Sequence, residues 1–414
     1  MKILHINTCQ NGGAAWCAIR INKALVAEDV ESRMLFADGL SMPDGIHGAI
    51  AEPDENIWEK YRLLWIMNKI LARLGWHIRN VDRMKNLLNQ ANTSHLFLHQ
   101  PFSEYRNIAH HPLVEWADII HLHWVSDFID YPSFFKEVKK PIVWTLHDKY
   151  PAMGVQHFGS HLFQPLPDGL RELDAQCKKI KREGVTKSFN MNLVAISEKM
   201  VEICKDSDVL KGFPVVLIHN GVDTATFRPY DKQTCRKELG LLPDATIFLF
   251  SSYSISDERK GLDRIIVALE KIDIPNKMLV CIGNIPFGYS APEASFPIIV
   301  TGQVTNQVKM TKYYSAVDYF LQGSYEEAFS QTPLEAMACG TPVISTPCSG
   351  ATDLIRPFNG VICNGYDSNA IAAAITVVWK KDYDADVIRQ HIIDNYNYDK
   401  IARQYIDLYQ SVLA

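Results

Sequence analysis

Apolar residues in this chain gather in short unbroken runs, each closed by a glycine, a polar turn or the start of a helix. Residues 3–6 form the first run, followed by NTCQNGGAA and a helix expected over about 16–27. ADIIHLHW (117–124), PIVWTLH (141–147) and LVAIS (193–197) read the same way, as do VVLIHNGVD (215–223), 246–251, 278–283, 298–304 and 318–321. Runs without polar alternation are the mark of strands buried on both faces, and strands separated by helices pair in parallel. The pattern predicts an α/β protein built from doubly wound sheets. At 414 residues two domains are expected, and Asn220-Gly221, which breaks an apolar run in mid-chain, marks their boundary. A last helix over 399–413 carries Ile401, Tyr405, Leu408 and Val412 on one face.

One stretch departs from this alternation. Between Trp58 and Trp76, Leu63, Met67, Ile70 and Leu74 recur at helical spacing. Trp58, Arg62, Trp65, Lys69 and Trp76 form a second stripe with Arg73 beside it, and Arg79, Arg83 and Lys85 extend the positive charge. Tryptophan interleaved with basic residues suits a helix lying at a membrane surface, so peripheral contact through 58–87 is expected. The plainer reading packs the leucine face on a neighbouring helix.

Composition narrows the remainder. A net charge of −5 argues against a general nucleic-acid binder. The nine cysteines form no C-x-x-C pair and no Cys/His cluster, which fits reduced thiols and no metal centre. Met1-Lys2 leads straight into a strand and no apolar run is long enough to span a bilayer. A cytoplasmic location is expected, with the inner face of the plasma membrane as the place of any peripheral contact. Asp382, Asp384 and Asp386 repeat D-x-D, but they open a late helix and read as capping and solvation.

The candidate chemistry concentrates in GSYEEAFSQTPLEAMACGTPVIST, residues 323–346. A strand ends there at Gly323-Ser324, Thr332-Pro333 starts a short helix, Gly340 ends it, and Pro342 opens the next strand. Glu327 and Glu335 stand with seven residues between them, one before the helix and one in its first turn. N–H groups at a helix start suit a diphosphate, and carboxylates accept paired hydrogen bonds from sugar or ribose hydroxyls. Spacing alone equally allows a Thr332-x-x-Glu335 capping box with Glu327 as solvated surface. Arg259-Lys260 at another helix start is either a phosphate clamp or a solvated pair. His121, His123 and His147-Asp148 lie at or near strand ends, the side of an open α/β sheet that faces ligands.

The 323–346 phrase resembles the E-x7-E motif of the family-4 retaining glycosyltransferases, which have the GT-B fold. NGVD-x3-F-x-P at 220–229 is similar to that family's crossing between domains, and WTLHDKYPAMG at 144–154 resembles members that build bacterial surface polysaccharides. The resemblance implies two Rossmann-like domains facing across a cleft, the last helix crossing back to the first. Residues 1–219 with 393–414 would hold the acceptor, and 220–392 the nucleotide-sugar. Glu327 would contact the donor sugar and Glu335 the ribose, with Ala328, Phe329, Ser330, Gln331 and Thr332 offering backbone between them. Gly13 would lie beside the donor phosphates. The turn at 301–306, with Val304, would flank the nucleobase, and His147 would approach the donor sugar. Lys260 is the expected phosphate contact; an arginine usual about six positions upstream is replaced by Ser254, so Arg259 is expected to substitute. His123 and Asp148 are expected at the acceptor.

The implied activity moves a sugar from a nucleotide-diphosphate donor to a glycan or lipid-linked acceptor with retained configuration, as in cell-surface polysaccharide synthesis. His147, Glu327 and Lys260 are the expected catalytic residues, with no cofactor, no metal and no nucleic acid. One rival is an inactive relative acting as a glycan- or nucleotide-binding subunit. A nicotinamide dehydrogenase fits less well, because Gly12-Gly13 lacks the G-x-G-x-x-G spacing.

Overall fold

The computed structural model describes residues 1–37, 48–50, 80–90, 97–105, 107–159, 166–290 and 293–414. It divides into two compact units, Met1–Ile218 with Ala402–Ala414, and His219–Ile401. The first unit holds a seven-stranded sheet of β1 (Lys2–Asn7), β2 (Glu31–Phe36), β3 (Gly48–Ile50), β4 (Ile119–Leu122), β5 (Pro141–Leu146), β6 (Asn190–Ala195) and β7 (Val215–Leu217). Their order is β3-β2-β1-β4-β5-β6-β7, with every pairing parallel. The second unit holds β8 (Thr246–Ser254), β9 (Lys277–Asn284), β10 (Ile298–Val300), β11 (Tyr319–Gln322), β12 (Val343–Ser345) and β13 (Gly360–Ile362). Their order is β10-β9-β8-β11-β12-β13, again wholly parallel.

The doubly wound architecture expected from the apolar runs is thus present twice. In each sheet the direction of winding reverses once, between β1 and β4 in the first unit and between β8 and β11 in the second. Loops leaving the carboxyl ends of those two strands splay apart there, which is where open α/β sheets bind ligands. Phe248, Leu279, Leu321 and Ile344 fill the core of the second unit, with Ile265, Ile266 and Leu269 on one covering helix and Ile371 and Ile375 on another.

Some boundaries differ from expectation. The last strand of the 298–304 run stops at Val300, because Gly302 takes a left-handed φ of 74° that ends the extended backbone. The return to the first unit comes at Ala402 rather than 393. The helix Ala385–Tyr396 stays with the second unit, where Arg389 donates to the carbonyls of Ala338 at 2.6 Å and of Thr224 and Phe227 at 2.9 Å. Asp384 caps that helix, accepting from the N–H groups of Asp386 and Val387. Trp58, Arg62, Trp65, Lys69, Arg73, Trp76 and Arg79 lie outside the described residues, while Arg83 and Lys85 are on the helix Asn80–Gln90. Among the described residues no helix is long and apolar enough to cross a membrane.

One face of the first sheet is polar yet dry. His5, His121, His123 and Thr145 are all at most 1% exposed. The last helix, Tyr398–Leu413, covers part of this patch with two tyrosines. Tyr409 Oη lies 2.7 Å from His121 Nδ1, Thr145 Oγ1 lies 2.8 Å from His121 Nε2, and Tyr405 Oη lies 2.9 Å from the same threonine oxygen. Leaving a buried polar group without its partner is costly. Tyr409→Phe keeps the packing and strips His121 of one partner, so it is expected to cost about 1–3 kcal/mol in urea denaturation. Unchanged stability would mean that the hydroxyl carries no net part of the attachment.

Candidate functional site

The loops after β8 and β11 meet at the switch point of the second sheet. Gly261 has φ of 77°, and a Cβ there would collide with the Gly323 carbonyl oxygen, so close approach of the two loops requires glycine. Backbone bonds then join them: Tyr325 N–H donates to the Arg259 carbonyl at 2.9 Å, and Arg259 Nη1 donates to the Glu326 carbonyl at 3.0 Å. Arg264 Nη2 reaches the Gly323 carbonyl at 2.5 Å, with its guanidinium 3.3 Å over the Tyr325 ring.

Glu327 sits in the middle of this junction. Its Oε1 receives Lys260 Nζ at 2.5 Å and Ser324 Oγ at 2.8 Å, with Arg259 Nη1 at 3.8 Å. Burial alone would raise its pKa, but Lys260, Arg259 and the two side-chain hydrogen bonds overcome that and hold it below the usual range. Glu327 is therefore a buried, ionised acid and not solvated surface. Asp257 accepts from Arg259 Nη2 and from its backbone N–H, both at 3.0 Å, and fixes the turn that carries Arg259 and Lys260. Neither cation is a solvated surface pair.

The helix after this loop runs Gln331–Ala338, starting one residue before the expected Thr332. Ser330 is its N-cap and no side chain caps it. The capping-box alternative falls, because Glu335 is buried and its Oε2 accepts from Tyr314 Oη at 3.0 Å. Ser330 and Thr332 face each other through their hydroxyls at 3.4 Å. Phe329 turns its ring into the core beside His219, 5.4 Å between centroids, so only its backbone can serve a ligand. Val304 is half-buried in the loop between β10 and the helix Gln307–Ala316, which also supplies Tyr314. Ser254 Oγ pairs with Ser256 Oγ at 3.0 Å.

In the first unit the loops after β1 and β4 flank the corresponding switch point. Gly12 takes φ of 98° to open the helix Gly13–Ala27, and among the described residues nothing beyond the adjoining backbone stands within 4 Å of where a Gly13 Cβ would be. Asn7 Oδ1 accepts from Trp124 N–H at 2.9 Å and ties the two loops. His123 departs from its expected place at an acceptor. It is 1% exposed, with Nε2 at 2.8 Å from His5 Nδ1 and Nδ1 at 3.0 Å from His147 Nε2. His147 itself is half-buried, its pKa lowered to about 4, chiefly by burial.

Asp148 is also turned inward. Its Oδ2 accepts from His157 Nδ1 at 2.6 Å and Trp124 Nε1 at 2.9 Å, while Oδ1 takes the Tyr150 N–H at 2.9 Å. Burial would raise its pKa, but His157 and these bonds hold it below the usual range. His5 and His157 were not singled out from sequence. His5 hides in the apolar run of β1, yet it stands opposite His121 in the register, and a histidine in each of two runs was the available signal. His157 lies in a loop whose path the sequence does not disclose.

Residues 231–399 match the family model described as "Glycosyl transferases group 1". D-inositol 3-phosphate glycosyltransferase of Nocardioides sp. is 25% identical over 226 residues, 48% of this chain and 49% of that protein. TuaC of Bacillus subtilis, named provisionally for teichuronic acid biosynthesis, is 28% identical over 228 residues, 53% of this chain and 56% of that protein. The chain thus spans about half the length of the curated relatives it matches. The solved structure of Anabaena HepE in complex with UDP and glucose superposes with a TM-score of 0.68 at 17% identity, over 99% of this chain and 100% of that one. That likeness shows the fold, and the two parallel-sheet units are those of GT-B proteins.

The Glu327 pair makes stability depend on pH in a defined direction. A depressed carboxyl pKa contributes stability above the unfolded value, near 4.5, and loses it as pH falls through the folded value. Glu327→Gln is expected to be less stable than the parent by ~2 kcal/mol at neutral pH, the scale of a hydrogen bond to a charged group. That gap should close as urea melts are repeated below pH 4.5. A gap that stays constant into acid would mean that the charge contributes nothing.

Proposed function

We propose that the protein, whose residues 231–399 match the glycosyl transferases group 1 family model, is a retaining glycosyltransferase of family 4. It transfers a sugar from a nucleotide-diphosphate donor, held by the second unit, to a glycan or lipid-linked acceptor, held by the first. The observation that carries this reading is the junction at the β8–β11 switch point. An ionised Glu327, Lys260 and Arg259 stand there beside a helix start that no side chain caps.

Lys260, Ser324 and Arg259 all converge on Oε1 of Glu327. Its Oε2 is then the oxygen that accepts from donor-sugar hydroxyls, and Glu335 accepts from the ribose. In the reaction the bond between the anomeric carbon and the diphosphate oxygen breaks. The acceptor oxygen forms its bond on the same face, and its proton passes to the departing diphosphate. Negative charge grows on that leaving group, where Lys260, Arg259 and the 330–332 amides are fixed in advance. No metal or cofactor takes part in this scheme. Because Asp148 is committed to Trp124, His157 and Tyr150, acceptor contacts in the first unit fall to neighbouring groups. UDP in the HepE structure supports a nucleoside diphosphate as ligand. The teichuronic acid relative supports a role in surface polysaccharide.

Thermal shift against UDP-, GDP-, ADP- and TDP-sugars tests binding, since a ligand at a hundredfold excess over its Kd stabilises by about 2.7 kcal/mol. Lys260→Ala is expected to lower turnover of the sugar that binds by roughly 10²–10³, and to weaken the nucleoside diphosphate more than the nucleoside. Glu335→Gln should weaken nucleotide binding without unfolding the protein, and a chelator should leave activity unchanged. Nucleotide-sugar binding with neither transfer nor donor hydrolysis would instead identify a binding subunit. Strict dependence on manganese or magnesium would overturn the metal-free scheme.

The acceptor is proposed to be met at the cytoplasmic surface of a membrane through 58–87. Each basic group near an anionic surface is worth about 1 kcal/mol, screened by salt. The protein should therefore sediment with anionic vesicles at low salt and be released at high salt. Failure to sediment at low salt would remove the membrane from the reading.

A further inference from the structure

The histidines of the first sheet form a chain whose polarity can be worked out. His5 Nδ1 stands 2.8 Å from His123 Nε2, and His123 Nδ1 stands 3.0 Å from His147 Nε2. Burial drives the pKa of His5 to about 3, that of His123 well down, and that of His147 to about 4. Each ring is therefore neutral at physiological pH and carries one proton. A neutral His123 with both nitrogens engaged must donate through one and accept through the other. The three rings can then be ordered in only two ways, outward from His5 or inward toward it.

The inner end decides between them. Among the described residues, the buried His5 Nε2 has no hydrogen-bond partner. Inward order would leave an N–H there with nothing to accept it, and buried N–H groups go unpaired more rarely than buried acceptors. Outward order leaves an idle lone pair instead. A metal would also use that lone pair, and His5, His121 and His123 bring one nitrogen each within 4.8 Å of the others. But both nitrogens of His123 are already engaged, one by His5 and one by His147, which leaves it no lone pair for an ion. His121 is moreover held by Tyr409 and Thr145.

We propose that His5 and His123 are positioning residues that lock His147 as a neutral hydrogen-bond donor. His5 Nδ1–H donates to His123, and His123 Nδ1–H donates to His147 Nε2, so the single proton of His147 sits on Nδ1. Protonating His147 would require breaking the bond from His123, so it meets a ligand as an uncharged N–H and not as a base. Asp148 beside it, with its carboxylate spent on His157, Trp124 and Tyr150, offers it no acceptor oxygen. Contact between that N–H and a donor-sugar hydroxyl rests on the glycosyltransferase reading; the tautomer does not.

Nitrogen-15 NMR of the full chain labelled in histidine tests the lock directly. The His147 signals are assigned by their loss in His147→Gln. At neutral pH, Nδ1 should appear protonated and Nε2 bare; a protonated Nε2, or two tautomers averaging, would overturn the proposal. His123→Asn keeps a donor near the place of Nδ1 and should keep both the tautomer and kcat within about threefold. His123→Leu removes the donor, should release the tautomer and should lower kcat roughly tenfold, the weight of one neutral hydrogen bond. An equal loss in Asn and Leu with the tautomer unchanged would mean that His123 is only packing. If Leu fails to fold, the parent spectrum and the Asn variant still decide. An inactive parent with the expected spectrum would reject the transferase and keep the lock.

Discussion

The bond between Lys260 and Glu327 is the constraint on which the second unit's site depends. Buried ion pairs are poor sources of stability, because taking both charges from water costs nearly as much as their attraction returns. This one joins two loops that leave the neighbouring strands β8 and β11. Beside it Gly261 and Gly323 let the backbones into contact, and Tyr325, Arg259 and Arg264 stitch them. What the pair contributes is geometry. A cation and an acid are set at one end of a helix before any ligand arrives, and preorganisation of that kind is what lowers a barrier in which charge develops.

The two units use one scaffold rule with opposite electrostatics. The second gathers its distinctive side chains in the loops after β8 and β11, where the winding reverses, and the first within β1 and just after β4 and β5. In the second unit these groups are fully charged and meet each other. In the first they are imidazoles kept uncharged by burial, threaded by hydrogen bonds of 2.8 and 3.0 Å. That division suits the transfer reaction proposed: a leaving diphosphate would need positive charge, whereas sugar hydroxyls would need donors and acceptors that keep their form across the working pH.

How much of this could be read in advance follows from what a linear pattern encodes. Apolar runs marked ten of the thirteen described strands, because parallel strands are buried on both faces and say so residue by residue, whereas the part-polar β2 and the three-residue β3 and β13 were not read. The family phrase at 323–346 singled out Glu327 and Glu335, both of which are buried and hydrogen-bonded. Contacts across strands were out of reach. Lys260 was expected on a phosphate, and its meeting with Glu327 needs the closeness of β8 and β11, which spacing does not report. Thr332-x-x-Glu335 is a sound capping signal in isolation, overridden by Tyr314 from another helix. His5 reads as core until its register with His121 is known, and His123 was expected at a surface it does not reach.

The support beneath His147 explains why so much polarity is buried around it. Lys181 is fully buried, its Nζ donating to the carbonyls of Tyr150 at 2.7 Å and Met153 at 2.9 Å and lying 3.1 Å over the Tyr150 ring. Burial pushes its pKa well down, so this lysine is a scaffold strut and not a surface charge. It pins the turn Tyr150–Ala152, whose first N–H holds Asp148. Asp148 in turn holds Trp124 and His157, and His157 stacks on Tyr150 at 4.4 Å. The loop that follows β5 is thereby closed on itself, and His147, at its start, is held from the chain side by this ring of contacts and from the sheet side by His123. A residue clamped from both directions can present one ring nitrogen in one direction, which is what a sugar-facing donor requires.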